Sequence, residues 1–286
     1  MRLFVFGYGY TARALARRLV PKGWRVFVSV RDPSSIGPLA AEGVIGMAAD
    51  DADGLADALA GTNALLITAP PDADGCPGLR TLVRQIARAE AFPDWIGYLS
   101  TTGVYGDRRG GWVFEESRLL AQSVEGARRV AAERDWLEVG RGMGLTVQLF
   151  RLPGIYGPGR SAFDRLRAGE ARRFAAPGQV FSRIHVDDLA GGLEASIARP
   201  RAGGVYNLCD DEPAPNSDVI AYAAGLLGMR PPPEAPLDVA TLSPAAQRFY
   251  AESKRVSNSR AKAELGWRPI YPTYREGLAA ILAAGG

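Results

Sequence analysis

The sequence predicts an α/β protein: a doubly wound parallel sheet with a smaller α/β C-terminal lobe. Three observations predict it. Apolar runs of strand length alternate with amphipathic helical stretches through roughly the first 150 residues. The first of those runs opens into a glycine turn, Phe6-Gly7-Tyr8-Gly9-Tyr10-Thr11-Ala12, that leads directly into a helical pattern. From about Pro153 the alternation loosens, and Pro, Gly and Arg become frequent. With 286 residues the chain can bury one large two-lobed core or two smaller ones.

Leu3-Phe4-Val5-Phe6 is the first strand. Ala12, Leu15, Ala16, Leu19 and Val20 then recur at helical spacing with Arg13, Arg17 and Arg18 between them, and Pro21-Lys22-Gly23 ends that helix. Arg25 to Val30 reads as a second strand and Val44 to Met47 as a short third one, followed by Asp50 and Asp51. Leu55, Ala58 and Leu59 pattern a helix. Ala64 to Thr68 is a continuous apolar strand of the kind buried on both faces of a parallel sheet. A loop over 70–78 precedes a helix over 79–91, and Trp95 to Leu99 is the next strand, running into Ser100-Thr101-Thr102-Gly103-Val104-Tyr105-Gly106. A long helix follows over about 121–140, then a strand over 146–150, a helix over 186–198 and a strand over 205–208. Pro231-Pro232-Pro233 marks a stiff connection. The expected organisation is a dinucleotide-binding domain of 1–153 plus 185–208 and a substrate-binding lobe of 154–184 plus 209–286.

A strand, a glycine turn, a helix and a second strand in this order suit a Rossmann-type dinucleotide site. Gly7 permits the tight turn, Gly9 lets the backbone approach a pyrophosphate, and Ala12 is small enough for close helix packing. Tyr8, Tyr10 and Thr11 stand in the same turn, where the helix N-terminus offers N–H groups and a positive dipole end to phosphate. The end of the second strand bears on which dinucleotide is bound. Arg31 falls where a ligand of a 2′-phosphate would stand, with Ser29 as a second donor, and this favours NADP. Asp32, one residue on, is the type of residue that bonds a ribose 2′-OH, so NAD stays open.

The remaining composition excludes several classes. No apolar stretch reaches membrane-spanning length, and the N-terminal run is broken at Gly7 in a way no secretory signal is. Cys76 and Cys209 lack metal-ligand spacing, and the single histidine, His185, rules out a multi-histidine metal site. The net charge is only +3, and basic residues alternate with acids, so no nucleic-acid groove is expected. A cytoplasmic, reduced setting is the default expectation.

The glycine turn, the 100–106 stretch, Arg151-Leu-Pro-Gly-Ile-Tyr-Gly-Pro-Gly159, Arg183-Ile-His-Val-Asp-Asp-Leu-Ala190 and Tyr206-Asn-Leu together resemble the extended short-chain dehydrogenase/reductases, the NAD-dependent epimerase/dehydratase family acting on nucleotide sugars. Lys254-Arg-Val-Ser-Asn and Glu264-Leu-Gly-Trp-Arg-Pro269 fit the same pattern. The resemblance implies an acid near the adenine at Asp50, a groove lined by Thr68, Ala69, Pro70 and Ser100, and a nicotinamide end at Pro153 to Ile155. It places Thr101 as the hydroxyl that holds the substrate oxygen. It also implies a Tyr-x-x-x-Lys pair on the long helix, yet there is neither tyrosine nor lysine between Asp107 and Trp136. Aligned on Glu133, the two positions hold Glu125 and Arg129. The chain thus resembles an atypical branch with a degenerate catalytic set, and without an acidic pair at Thr102 and Gly103 dehydratase chemistry is not expected.

Two accounts of Glu125 and Arg129 stay open: an i,i+4 ion pair, or a substitute acid with a stand-in for the lysine. The ion pair is favoured, because a neighbouring arginine lowers a carboxyl pKa, the wrong direction for a proton donor near neutrality. Tyr105 is a further candidate acid. His185 reads as structural, and Asp187 and Asp188 as helix caps. Arg160, Arg172, Arg173 and Arg183 are candidates to hold a phosphorylated or carboxylated small-molecule substrate, a nucleotide sugar among them. An oligomer is compatible with all of this. Two functions follow: an NADP-dependent oxidoreductase or epimerase, or a non-catalytic NADP(H)-binding sensor or scaffold.

Overall fold

The computed structural model describes residues 1–88 and 90–285. Seven strands form one parallel sheet: β1 (Arg2–Phe6), β2 (Arg25–Val30), β3 (Val44–Ala48), β4 (Ala64–Ile67), β5 (Trp95–Thr101), β6 (Val147–Leu152) and β7 (Gly204–Asn207). Their order across the sheet is β7-β6-β5-β4-β1-β2-β3. The chain therefore winds outward one way from β1 through β2 and β3, then returns to β4 and winds the other way. That reversal makes the gap between β1 and β4 a topological switch point, where loops at the carboxyl ends part and leave a crevice. The registers agree: Phe6 pairs with Ser29 on one side and with Ile67 on the other. This is the doubly wound Rossmann-like sheet that the alternation predicts.

Period-two patterning builds the core. Phe4 and Phe6, Leu65 and Ile67, Ile96 and Tyr98, and Val147 and Leu149 send alternate side chains to one face. There they join Leu55 and Leu59 of helix α2 (Ala52–Leu59), Leu82 and Ile86 of α3 (Pro77–Arg88), and Trp136 of α4 (Val124–Met143). Tyr98 stacks on Trp136, whose indole N–H points to the Cys76 sulfur at 3.3 Å. Trp95 donates to Ser196 at 2.9 Å and Ser196 to Gln148 at 2.7 Å, so helix α5 (Val186–Ile197) is tied to β5 and β6 through buried polar groups. Among the described residues no helix is long and apolar enough to cross a membrane.

The chain divides into two compact units. The first takes 1–101, 124–151 and 190–206; the second takes 102–123, 152–189 and 207–286. The segment 102–123, expected from the sequence in the dinucleotide-binding domain, thus groups with the later residues. The second unit carries three short parallel ladders: Gly154–Tyr156 with Arg183–His185, Arg173–Ala175 with Glu234–Pro236, and Trp112–Val113 with Arg255–Val256. Its own core gathers Phe163, Leu166, Val219, Ile220, Ala223, Tyr274, Leu278 and Ile281.

Asp188 does more here than cap a helix. Its buried carboxylate accepts from the backbone N–H groups of Ile270 and Tyr271, and its carbonyl accepts from the Trp267 indole at 3.1 Å. A carboxylate bonded to two backbone donors contributes more than a neutral pair, and deleting it strands both donors. Asp188→Ala is expected to destabilise the second unit by about 3 kcal/mol, read from the denaturant midpoint. Asp188→Asn should lose less, because one acceptor oxygen remains. A change below about 0.5 kcal/mol in the alanine variant would contradict this role.

Candidate dinucleotide-binding site

The glycine turn is clamped from both neighbouring strands. The Phe6 carbonyl accepts from the Thr68 N–H at 3.0 Å and from the Ala69 N–H at 3.3 Å. The Thr68 hydroxyl donates to the Gly7 carbonyl, and the Gly7 N–H donates to the Ser29 hydroxyl at 3.3 Å. Gly7 itself has φ +94°, and a Cβ there would lie 2.8 Å from Thr68 Oγ1 and 3.1 Å from the Ala69 nitrogen. Only glycine fits that backbone and that space. Thr68 and Ala69 are thus brought to the turn, and Pro70 beyond them is exposed.

Gly9 is glycine for a different reason. Its φ of −105° suits any residue, but a Cβ there would meet no protein atom within 4 Å. It stands as N-cap of helix α1 (Tyr10–Leu19), offers no capping side chain, and the first turn holds no acid. A helix N-terminus with its positive end uncompensated and clear space before it fits an anion such as a pyrophosphate. Thr11 is buried in that first turn and Tyr10 half-buried. The Tyr8 hydroxyl donates to Glu42 at 2.9 Å, while Arg13 lies 4.8 Å over the Tyr8 ring and pairs with the same carboxylate.

The end of β2 gives Arg31 and Asp32 different surroundings. Asp32 caps the turn Pro33–Ser35, accepting from the Ser34 N–H at 2.9 Å and the Ser34 hydroxyl at 2.8 Å. The Ser34 hydroxyl, then its N–H, hold the Asp32 carboxyl below its ordinary pKa. Its oxygens are engaged locally, although Asp32 and Arg31 are both exposed. Ser29 is buried against the glycine turn. Asp50 is exposed just before Asp51, which caps α2 through the Gly54 N–H at 3.0 Å.

At the end of β5 the structure adds a feature that sequence reasoning missed. The Ser100 hydroxyl donates to Glu133 of α4, and Arg151 of β6 grips the same carboxylate with Nη2 at 2.8 Å and Nε at 3.1 Å. All three residues are buried. This fork holds the carboxyl ends of β5 and β6 to α4, directly beside Thr101. The signal in the sequence was an acid and an arginine 18 residues apart on separate elements, which no local pattern pairs. On α4 the Arg129 guanidinium donates to the Leu99 carbonyl and lies 5.7 Å over the Tyr98 ring, while Glu125 is exposed in the first turn.

The other expected residues lie in the second unit. Tyr105 is buried, and its hydroxyl donates to Asn207 at 2.7 Å; Asn207 in turn donates to Glu115 at 2.9 Å and to the Ser257 carbonyl at 3.1 Å. Ile155 pairs in register with Ile184, two residues beyond Pro153. Arg183 is buried and donates to the Ala214 carbonyl at 3.0 Å, so it is not offered to solvent as an anion ligand. Arg173 donates to Ser217 and Pro232 carbonyls, whereas Arg160 and Arg172 are exposed.

A clamped glycine turn, an open helix N-terminus and a switch-point crevice belong to a Rossmann-like α/β fold. The same fold occurs in dTDP-glucose 4,6-dehydratase from Bacillus anthracis str. Ames, solved in complex with NAD, at a TM-score of 0.80 and 16% identity over 99% of this chain and 96% of that one. Protein YeeZ of Escherichia coli K12 is 27% identical over 95% of this chain and 96% of its own. A conserved protein of unknown function from Silicibacter pomeroyi DSS is 49% identical, with a TM-score of 0.90 over 99% of this chain and 98% of that one. The chain belongs to the family of that Silicibacter pomeroyi protein. No protein-family model matches it.

The two glycines make a paired prediction. Gly7→Ala forces a side chain into a left-handed backbone and against Thr68, and should lower stability by about 2–4 kcal/mol. Gly9→Ala should change stability by less than about 0.5 kcal/mol. Equal losses in thermal or urea unfolding would contradict the distinction.

Proposed function

We propose that this protein binds NADP(H) at the Gly7–Thr11 turn and acts as an NADP-dependent oxidoreductase or epimerase with an altered catalytic set. The observation that carries the reading is the open Gly9 position before the uncapped N-terminus of α1. Gly7, Tyr8, Gly9, Tyr10 and Thr11 would hold the pyrophosphate, Arg31 a 2′-phosphate, and Asp50 the adenine side. Thr68, Ala69, Pro70 and Ser100 would line the groove, with Pro153 and Ile155 toward the nicotinamide. The bound dinucleotide supplies a hydride donor or acceptor. The preference for NADP over NAD is supported by the Asp32 carboxylate being engaged with Ser34.

In this reading Thr101 orients the substrate oxygen at the end of β5, fixed by the Ser100–Glu133–Arg151 fork. The proton donor is a group other than the family tyrosine. Tyr105 spends its hydroxyl proton on Asn207, which leaves Glu125 or the substrate's own groups. The substrate is a small molecule, and the exposed Arg160 and Arg172 would meet a phosphorylated or carboxylated compound such as a nucleotide sugar.

One observation favours a second reading, a non-catalytic NADP(H) sensor or scaffold. Arg129 at the lysine position is drawn to the Leu99 carbonyl, an engagement that competes with holding a ribose.

Fluorescence titration tests the cofactor reading. NADPH should bind at least about tenfold more tightly than NADH, and Arg31→Ala should erase that ratio, because a charge-assisted phosphate contact contributes about 1.5–3 kcal/mol. Gly9→Ala should weaken both dinucleotides while leaving the fold intact. NADH preferred, with Arg31→Ala silent, sinks the NADP assignment. Turnover of NADPH with a carbonyl and nucleotide-sugar panel separates enzyme from sensor. Activity that Thr101→Ala lowers by about 10²-fold or more supports the enzyme, and complete inactivity with cofactor-dependent partner binding supports the sensor.

A further inference from the structure

Among the buried polar atoms of the second unit without hydrogen-bond partners are Tyr156 Oη, Arg183 Nη1, His185 Nε2 and both carboxylate oxygens of Asp210, on four side chains. They belong to one place in the fold. In the parallel ladder of Gly154–Tyr156 with Arg183–His185, Gly154 pairs with Arg183 and Tyr156 with His185. Residues two apart on a strand face the same side, so Tyr156, Arg183 and His185 project together. Gly154 leaves room on that face, since a Cβ there would come no nearer than 4.0 Å to the Ser182 carbonyl. The Asp210 N–H donates to the Arg183 carbonyl at 2.8 Å, which brings Asp210 alongside. The helix Tyr274–Ala283 packs onto the same groups: the Arg183 guanidinium lies 5.3 Å from the Tyr274 ring, and a Cβ at Gly277 would stand 2.0 Å from Tyr156 Oη.

Arg183, His185 and Tyr156 are held by their other contacts, so they cannot simply turn away. Arg183 Nη2 donates to the Ala214 carbonyl. His185 Nδ1 accepts from the Asp187 N–H at 3.2 Å, which assigns the ring proton to the unpartnered Nε2. The His185 ring packs edge-on against Tyr156 and Tyr271. Burial raises the Asp210 carboxyl above its ordinary range, with the Arg183 charge and the nearby Glu212 backbone N–H opposing the rise. Five unmet buried polar atoms would together cost free energy comparable with the net stability of a whole domain.

The chemistry of the set selects what meets them. A carboxylate accepts, a guanidinium and an imidazole N–H donate, and a phenol does both. A cation would be repelled by Arg183 and an anion by Asp210. A small neutral molecule that both donates and accepts satisfies every member. We propose that this face of the second unit is an internal hydration site, where buried water bridges the Asp210 carboxylate to Arg183 Nη1 and Tyr156 Oη. The assignment is independent of the cofactor reading. It makes Arg183 and Asp210 a water-mediated buried pair instead of a direct salt bridge.

Two measurements on the whole chain test it. A high-resolution crystal structure should show ordered water within hydrogen-bond distance of both Asp210 and Arg183 Nη1. A direct Arg183–Asp210 contact with no water between them overturns the proposal. Tyr156→Phe provides a readout of opposite sign for the two cases. If water meets the hydroxyl, its removal lowers Tm by about 2–4 °C. If the hydroxyl is dry and unmet, the phenylalanine relieves a desolvation cost, and an unchanged or raised Tm contradicts the site.

Discussion

Two backbone donors, the N–H groups of Thr68 and Ala69, converge on the single Phe6 carbonyl, and the geometry of the whole amino-terminal half depends on that meeting. It occurs where β1 and β4 part at the switch point of the sheet. Because the Phe6 carbonyl and the Thr68 hydroxyl fix the chain on both sides of Gly7, the turn has one conformation, left-handed at Gly7, and α1 can leave only in one direction. The hydroxyl of Ser29 supports the same turn from β2. The turn before α1 is thereby preformed by backbone and hydroxyl groups of three adjacent strands, with little conformational entropy left to lose there.

A second constraint acts at the far side of the sheet. The Glu133 carboxylate is buried with Arg151 and Ser100. A buried pair of this kind gains stability only when its remaining hydrogen-bonding capacity is met, and here the bidentate arginine and the serine hydroxyl meet it. The consequence is positional: the ends of β5 and β6 are locked to α4, so Thr101 is placed by rigid elements. The same helix directs Arg129 to the backbone of β5. On that helix Glu125 is exposed, and Arg129 is bound to the chain's own backbone.

Much of the first unit is legible in the sequence because its elements follow one period each. Leu3 to Phe6, Arg25 to Val30 and Ala64 to Thr68 read as strands, and Ala12, Leu15 and Leu19 as a helix face, within a residue or two of the observed bounds. The helix expected over 79–91 begins earlier, at Pro77, because proline suits a first helical turn even where its surroundings look like loop. The second unit is hard to read for a physical reason. Its strands of two and three residues and helices such as Ala162–Arg167 are too short to show periodicity, and they are fixed by long-range pairing. Charged residues mislead most where burial reassigns them. Arg183 has the sequence context of a surface anion ligand and lies in a core. Asp188 has that of a cap and also anchors the backbone at 270 and 271, and the partner of Glu133 is visible only once β6 lies against α4.

If the clear space before α1 at Gly9 is the seat of a dinucleotide pyrophosphate, a crystal structure of the chain grown with NADPH shows it most directly. Density for the two phosphates is expected against the backbone of Gly7 to Thr11, with the adenosine end extending toward Arg31. Density for the dinucleotide elsewhere on the chain, or an unaltered turn at saturating NADPH and NADH, would contradict it.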